Sequence, residues 1–347
     1  MGRRPRLFTD ISIAVSCLVF LVATLSCAAP PRELVILTYD SFVSEYGPGP
    51  KLAELFEKQS GIKVTWKAKG DGGQLLADLA LGAKDGLTTK GADLALGLDN
   101  FLEPRALALD LFQTYKPKDL GKVPAELRID PSNRLIPYDY GWFAIIYDSA
   151  KAKKLPTSLD ELASPAFKGQ LILMDPRSST PGLGFLAWTR SVYGTNWEDY
   201  WKRLAPSVLA MPAGWDAGYG LFLAGEAPFV LSYTTSPAYH KEVEGSDRYK
   251  VLPLPEGNPR QVELAGILKG GPHRRAAELF MDFIISPEAQ ALLPTTQWMY
   301  PVRPEVALPA GFSAALKPAK SLEPSTEGLF EAAPRAVELV GARARQP

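Results

Sequence analysis

Apolar runs and amphipathic stretches alternate along the chain from residue 33 onward. "ELVILTYDSF" (33–42) is an apolar run ending in a polar turn, the pattern of a buried strand that leads into a site. "GPGPKLAELFEKQSG" (47–61) predicts a helix. Pro50 sits near its start, Leu52, Leu55 and Phe56 form its apolar face, and Gly61 closes it. "IKVTWKA" (62–68) alternates as a strand, "GGQLLADLALGAK" (72–84) reads as a second helix and "ADLALGL" (92–98) as a third strand. Strand–helix–strand–helix–strand implies a parallel α/β sheet with right-handed crossovers. Such sheets bind ligands at the carboxyl ends of their strands. The loops "TYDSFVSEYGPG", "KGDGG" and "GLDNF" are therefore candidate site loops.

"LIPYDYGWFAIIYD" (135–148) is long, aromatic and β-rich, and suits a strand passing between two lobes. The α/β pattern then restarts with a helix capped by Thr157 or Ser158 and the strand "QLILMD". "PRSSTPGLGFLAWTR" follows. Pro181 suits the first position of a helix, which places Thr180 at the N-cap. Gly182 and Gly184 leave the first turn open, so its free N–H groups could accept an anion. An ordinary capped helix has the same pattern. Further on, "WEDYWKRLA" (197–205) reads as a helix and "PFVLSYTTSPAYH" (228–240) as a strand ending in a loop. "YKVLPLPEGNPRQVELAGILKGG" (249–271) reads as a strand pair returning to the first lobe. "HRRAAELFMDFIISPEAQALL" (273–293) supplies late helices and "TTQWMYPV" (295–302) a loop. Past Pro309 the pattern weakens into Pro/Ala-rich sequence with a terminal helix.

A chain of 347 residues exceeds the size at which one core keeps growing, so two lobes are expected. Lys+Arg and Asp+Glu number 38 each, and no long run carries one sign, so nothing points to nucleic acid. The N-terminus is an export signal over 1–27: Arg3, Arg4 and Arg6, an apolar stretch from Ile11 to Leu25, then small residues. "LSC" (25–27) resembles a lipoprotein cleavage box, with Thr24 where such boxes usually carry Leu. The protein is thus expected to be exported, either anchored through Cys27 or cleaved near Ala28 or Ala29 and free in the periplasm. Both cysteines, Cys17 and Cys27, lie in this segment, so the exported body holds no disulfide and no thiol nucleophile. Two histidines, His240 and His273, make a His-rich metal site a poor expectation.

Aromatics gather in the predicted strand ends and loops: Tyr39, Tyr46, Tyr138, Tyr140, Trp142, Trp215, Tyr219, Tyr233, Tyr239, Trp298 and Tyr300. Each alone is more often a core or surface aromatic than a ligand contact. Together, Trp and Tyr faces suit a flat cation, because the negative π face attracts it. Asp40, Asp71, Asp99 and Asp139 fall in the same segments as turn residues or cation partners.

"TYDSF…GPGP", "DLALGLDN", "YDYGWFA", "DPRSSTPGLG", "YGLFLAGE", "LSYTTSPAYH" and "WMYPV…LPAGF" together resemble the thiamine-binding proteins of bacterial ABC importers, from about Leu34 to about Phe312. The resemblance implies a periplasmic-binding-protein type II fold: two α/β lobes joined by two hinge strands, with a ligand cleft between them. Residues 33–137 would begin lobe one, 138–262 form lobe two, and 263–347 complete lobe one and add C-terminal helices. It implies binding of thiamine and its phosphate esters and delivery to a membrane permease and ATPase, with no catalysis, cofactor or metal, by a monomer. By motif position the ligand contacts would be Tyr39, Tyr46, Asp71, Gly72, Ser179, Trp215, Tyr233, Tyr239 and Trp298. Ser179 would meet the phosphate or hydroxyethyl end, and the later aromatics would flank the rings. Tyr46 stands where related sequences can carry Trp. The alternatives are a receptor for another organic cation or for ferric iron, and a thiamine-degrading enzyme of the same fold. The last would need a nucleophile other than cysteine.

Overall fold

The computed structural model describes residues 33–84 and 91–341, with Met1 and Gly2. Apart from those two, the predicted export signal and Cys27 lie outside the described residues. β1 (Glu33–Thr38), α1 (Gly49–Ser60), β2 (Lys63–Ala68), α2 (Gly72–Lys84), β3 (Leu94–Asp99) and α3 (Glu103–Ala108) follow the predicted order. β1 pairs in parallel with both β2 and β3. Every residue of β3 is buried, as expected of a parallel strand covered on both faces. α1 stops at Gly61, whose φ of 71° is the left-handed C-cap conformation that glycine adopts freely.

The long strand β4 (Ile136–Asp148) then changes partners along its length. The second half of the molecule follows as α4 (Leu159–Leu162), β5 (Leu171–Ile172), α5 (Thr180–Tyr193), α6 (Trp197–Leu204), β6 (Val208–Ala210), α7 (Trp215–Ala224), β7 (Phe229–Tyr233), α8 (Ser236–Val243) and β8 (Tyr249–Val251). β9 (Asn258–Ile267) returns the chain, followed by α9 (Arg274–Ile284), α10 (Pro287–Gln290), α11 (Leu293–Thr296), β10 (Tyr300–Pro301), β11 (Ser321–Leu322) and α12 (Leu329–Gly341). The main sheet order is β2-β1-β3-β9-β4-β7-β5-β6. Ile136–Trp142 of β4 pair with β9, and Phe143–Tyr147 pair with β7. Two parallel half-sheets are therefore joined through the antiparallel strands β4 and β9, giving two α/β lobes on two connecting strands.

α5 is apolar nearly all round and buried from Thr180 to Thr189, so it needs cover on both sides. The sheet supplies one side, and α6 and α12 supply the other. Trp188 and Trp201 are fully buried there, with the Trp201 indole donating to Thr189 Oγ1 at 2.9 Å. The stretch from Ala310 to Ala314 packs on α8, and β11 extends the start of β9. The chain thus packs its C-terminal part on elements of residues 138–262.

Three local expectations need correction. "TTQWMYPV" is only partly a loop: α11 runs to Thr296, and Tyr300–Pro301 form β10 against β4. "SYTTSPAYH" is not a loop: α8 starts at Ser236 with Pro237 in its first turn, where no N–H partner is needed. Nor is Thr180 the N-cap of α5. Ser179 holds the extended cap backbone (φ −110°, ψ 133°), Thr180 is already helical and Pro181 is second in the helix. The preceding turn, in which Ser178 and Ser179 donate their N–H groups to the Asp175 carbonyl, ends one residue earlier than the sequence suggests.

Candidate functional site

A cavity of about 640 Å³ lies between the lobes, at the carboxyl ends of the strands. Tyr39 follows β1, and its ring packs over Gly97 of β3. Gly97 has φ 101°, and a Cβ there would collide with that ring, so only glycine fits. Tyr46 lies on the lip before α1, 54% exposed, and its hydroxyl donates to Asp216 of α7 across the cleft. Burial and Asp216 push the Tyr46 phenol up to about 12, so it stays a donor near neutral pH.

The second lobe contributes a wall of rings. Trp215 and Tyr219 stack on α7, with centroids 5.0 Å apart and planes 19° apart. The Trp215 indole is fixed by donating to Ser232 Oγ at 2.8 Å. The Tyr219 hydroxyl meets His240 Nε2 at 2.9 Å, and His240 Nδ1 meets Glu244. Tyr233 ends β7 beside Trp215. Tyr239 on α8 meets Trp298 edge-on, 5.5 Å between centroids. Trp298 follows α11 with φ 58°, a left-handed conformation that costs an L-residue roughly 1–2 kcal/mol. Such a conformation persists only where the surroundings impose it. Here it places the indole between Tyr239 and Phe312.

Asp71, just before α2, crosses from the first lobe to the N-termini of α5 and α7. Its carboxylate accepts from Ser179 Oγ at 2.8 Å, Trp215 N at 3.0 Å, Thr180 Oγ1 at 3.3 Å and the adjacent Gly72 N at 2.6 Å. Helix N-termini favour a negative charge, and a carboxylate serves as well as a phosphate. Burial raises the Asp71 pKa above the ordinary value, and these hydrogen bonds offset part of the rise.

Seven of the nine residues singled out in the sequence line this cavity: Tyr39, Tyr46, Asp71, Trp215, Tyr233, Tyr239 and Trp298. Ser179 and Gly72 do not. Ser179 is buried with its hydroxyl on Asp71. Gly72 packs against Thr180, where a side chain would collide. Sequence reasoning missed Gln261 and Glu263 of β9, Gln297, and the role of Tyr219, all of which line the cavity. The signal for the first two was present: "RQVELAGI" sets two polar residues two apart in a buried apolar strand. Asp40, Asp71, Asp216 and Glu263 give the lining four carboxyl groups. Among the described residues no Arg, Lys or His lines it. A negative cavity with aromatic walls selects a flat cation over an anion. No group of three or more His, Cys, Asp or Glu that could hold a metal ion occurs among the described residues.

The model of the family "Bacterial extracellular solute-binding protein" matches residues 51–319. A thiamine-binding periplasmic protein of Brucella abortus is 46% identical over 306 residues, 87% of this chain and 90% of that protein. The protein of the same description from Escherichia coli K12 is 41% identical over 303 residues, covering 86% and 90%. A solved structure described as a periplasmic thiamin binding protein superposes with a TM-score of 0.83 at 37% identity, covering 92% of this chain and all of that one. A ferric binding protein from Campylobacter jejuni superposes with a TM-score of 0.72 at 20% identity, which shows a shared fold alone. The chain belongs to the bacterial extracellular solute-binding proteins, among relatives described as thiamine-binding periplasmic proteins.

Proposed function

We propose that this protein is the exported receptor of an ABC importer, binding thiamine between its lobes and handing it to a membrane permease and its ATPase without chemical change. The observation that carries this reading is the cavity lining: Trp and Tyr faces on several sides, four carboxyl groups and no cationic side chain among the described residues. A thiazolium cation meets π faces and negative charge there, and an amine-bearing ring finds hydrogen-bond acceptors. The relatives' descriptions support the same ligand. The lobes are residues 33–137 with 263 onward, and 138–262, the C-terminal helix resting on the latter. Ligand closes them by bending at β4 and β9.

Phosphate esters enter the same cavity with the phosphate at the N-termini of α5 and α7, where it replaces the Asp71 carboxylate as partner of Ser179 and Trp215 N–H. Ser179→Ala therefore weakens ester binding more than thiamine binding. Equal losses for both ligands would remove the ester from this reading. Export leaves the protein in the periplasm, anchored through Cys27 or free, and it acts as a monomer. The central test is titration calorimetry with thiamine. The expected result is one site per chain and unaltered thiamine on recovery; absence of binding, or conversion of thiamine, refutes the receptor role.

A further inference from the structure

At the cavity floor β9 presents Gln261 and Glu263, which share one face because they are two apart on a strand. Strand register sets Glu263 between two more acids: Asp99 of β3 on one side and Asp139 of β4 on the other. Three carboxyl groups thus stand abreast across three neighbouring strands, and like charges directly opposite repel. Both oxygens of Asp139 are buried without a hydrogen-bond partner. Tyr39 and Tyr138 both donate their hydroxyls to Glu263 Oε2, Tyr39 at 2.8 Å. Both of these hydrogen bonds fall on Oε2, which leaves Oε1 for a ligand. Gln261 is 1% exposed and gives Nε2 to Asp99 at 2.9 Å, which leaves its Oε1 buried and unpartnered. Buried acceptors outnumber donors at this end of the cavity, and such groups are costly unless something donates to them.

We propose that Gln261 and Glu263 form the subsite for the exocyclic amine of an amino-substituted nitrogen heterocycle, its two N–H groups spanning Gln261 Oε1 and Glu263 Oε1. This rests on the thiamine reading and assigns the aminopyrimidine to the floor. A primary amine offers two hydrogens to two acceptors. An oxo or hydroxyl group in its place offers none or one and leaves an acceptor unpaired. The ligand's positive charge also relieves the acid row. Burial, with Asp99 and Asp71 nearby, pushes the Glu263 carboxyl up to about 7 against the opposing tyrosine hydrogen bonds. The ionisable groups that face it are Asp99 of β3, Tyr138 and Asp139 of β4, Tyr39 after β1, Asp71 before α2 and Tyr233 of β7, none of them a cation. The amine's hydrogen bond to the carboxylate, with the thiazolium charge one methylene bridge away, lowers the carboxyl's pKa, so binding releases protons near neutral pH.

The test is calorimetry on the purified protein with thiamine and with its analogue carrying oxygen in place of the 4-amino group, in two buffers of different ionisation heat. The expected result is a preference for the amine of roughly 10- to 100-fold and proton release at neutral pH. Glu263→Gln should bring the preference close to one and cut the release, leaving what Asp99 contributes. Gln261→Ala should narrow the preference and leave the release, and it carries the test if Glu263→Gln does not fold. Thiamine binding with no preference for the amine, or a preference kept by every folded variant, overturns this subsite and leaves the receptor reading standing. A wild type that binds neither compound overturns the receptor reading and this inference with it.

Discussion

Trp298 holds a backbone conformation that glycine adopts without strain. Trp298→Gly and Trp298→Ala lose the same indole contacts with Tyr239 and Phe312. Only the alanine keeps the backbone strain. Urea unfolding should find the alanine variant less stable than the glycine variant by about 1 kcal/mol. Both variants should lose thiamine affinity to a similar degree. Alanine matching or exceeding glycine in stability would show that the strain is absent. Much of the aromatic wall was legible in the sequence, because Trp and Tyr stand out beside turn residues. Glu263 was not. Within "QVELAGI" it looks like one charge in a core strand, and its neighbours Asp99 and Asp139 are distant in sequence. Strand pairing alone brings them together.

At the scale of elements, helix starts carry the contact between lobes. Asp71 leaves the first lobe and binds the N-termini of two helices in the second. Asp71→Ala strands the Ser179 hydroxyl and the Trp215 N–H. Thermal unfolding should therefore show a loss of roughly 1–3 kcal/mol. A loss below about 0.5 kcal/mol would mean that water replaces the carboxylate there. Most helices were legible from their own ends, as α1 is from Pro50 and Gly61. α8 was hidden because Ser236 and Pro237 follow β7 so closely that they read as a turn. The cover that α12 gives α5 was hidden too. Periodicity shows that α5 needs burial on all sides and says nothing about which distant segment supplies it.

For the whole molecule, the acid row makes stability depend on pH. Burial raises both Asp99 and Glu263 to about 7, well above their unfolded values. Between those limits the folded state binds more protons than the unfolded one. The stabilisation is therefore complete below the unfolded pKa values and is lost as pH rises toward 7. Melting temperature should fall from about pH 5 to about pH 8, with a shallower slope in Glu263→Gln. His240, lowered from 6.5 by burial, acts with the opposite sign inside this window and offsets part of the fall, whereas Asp148, lowered by Arg248, acts below its ordinary value of 3.8. A flat profile in the wild type would show that the row holds no extra proton. Saturating thiamine should raise the melting temperature most at the alkaline end, since a bound cation favours the ionised row.

Glu263 and Asp139 are also rungs of the two strands that join the lobes, a few residues from the step at Trp142 and Phe143 where β4 exchanges one neighbour for another. Cargo that settles against this row pushes on the fulcrum itself. Recognition and leverage share a single pair of strands, and no separate chain of levers has to carry the news from one to the other.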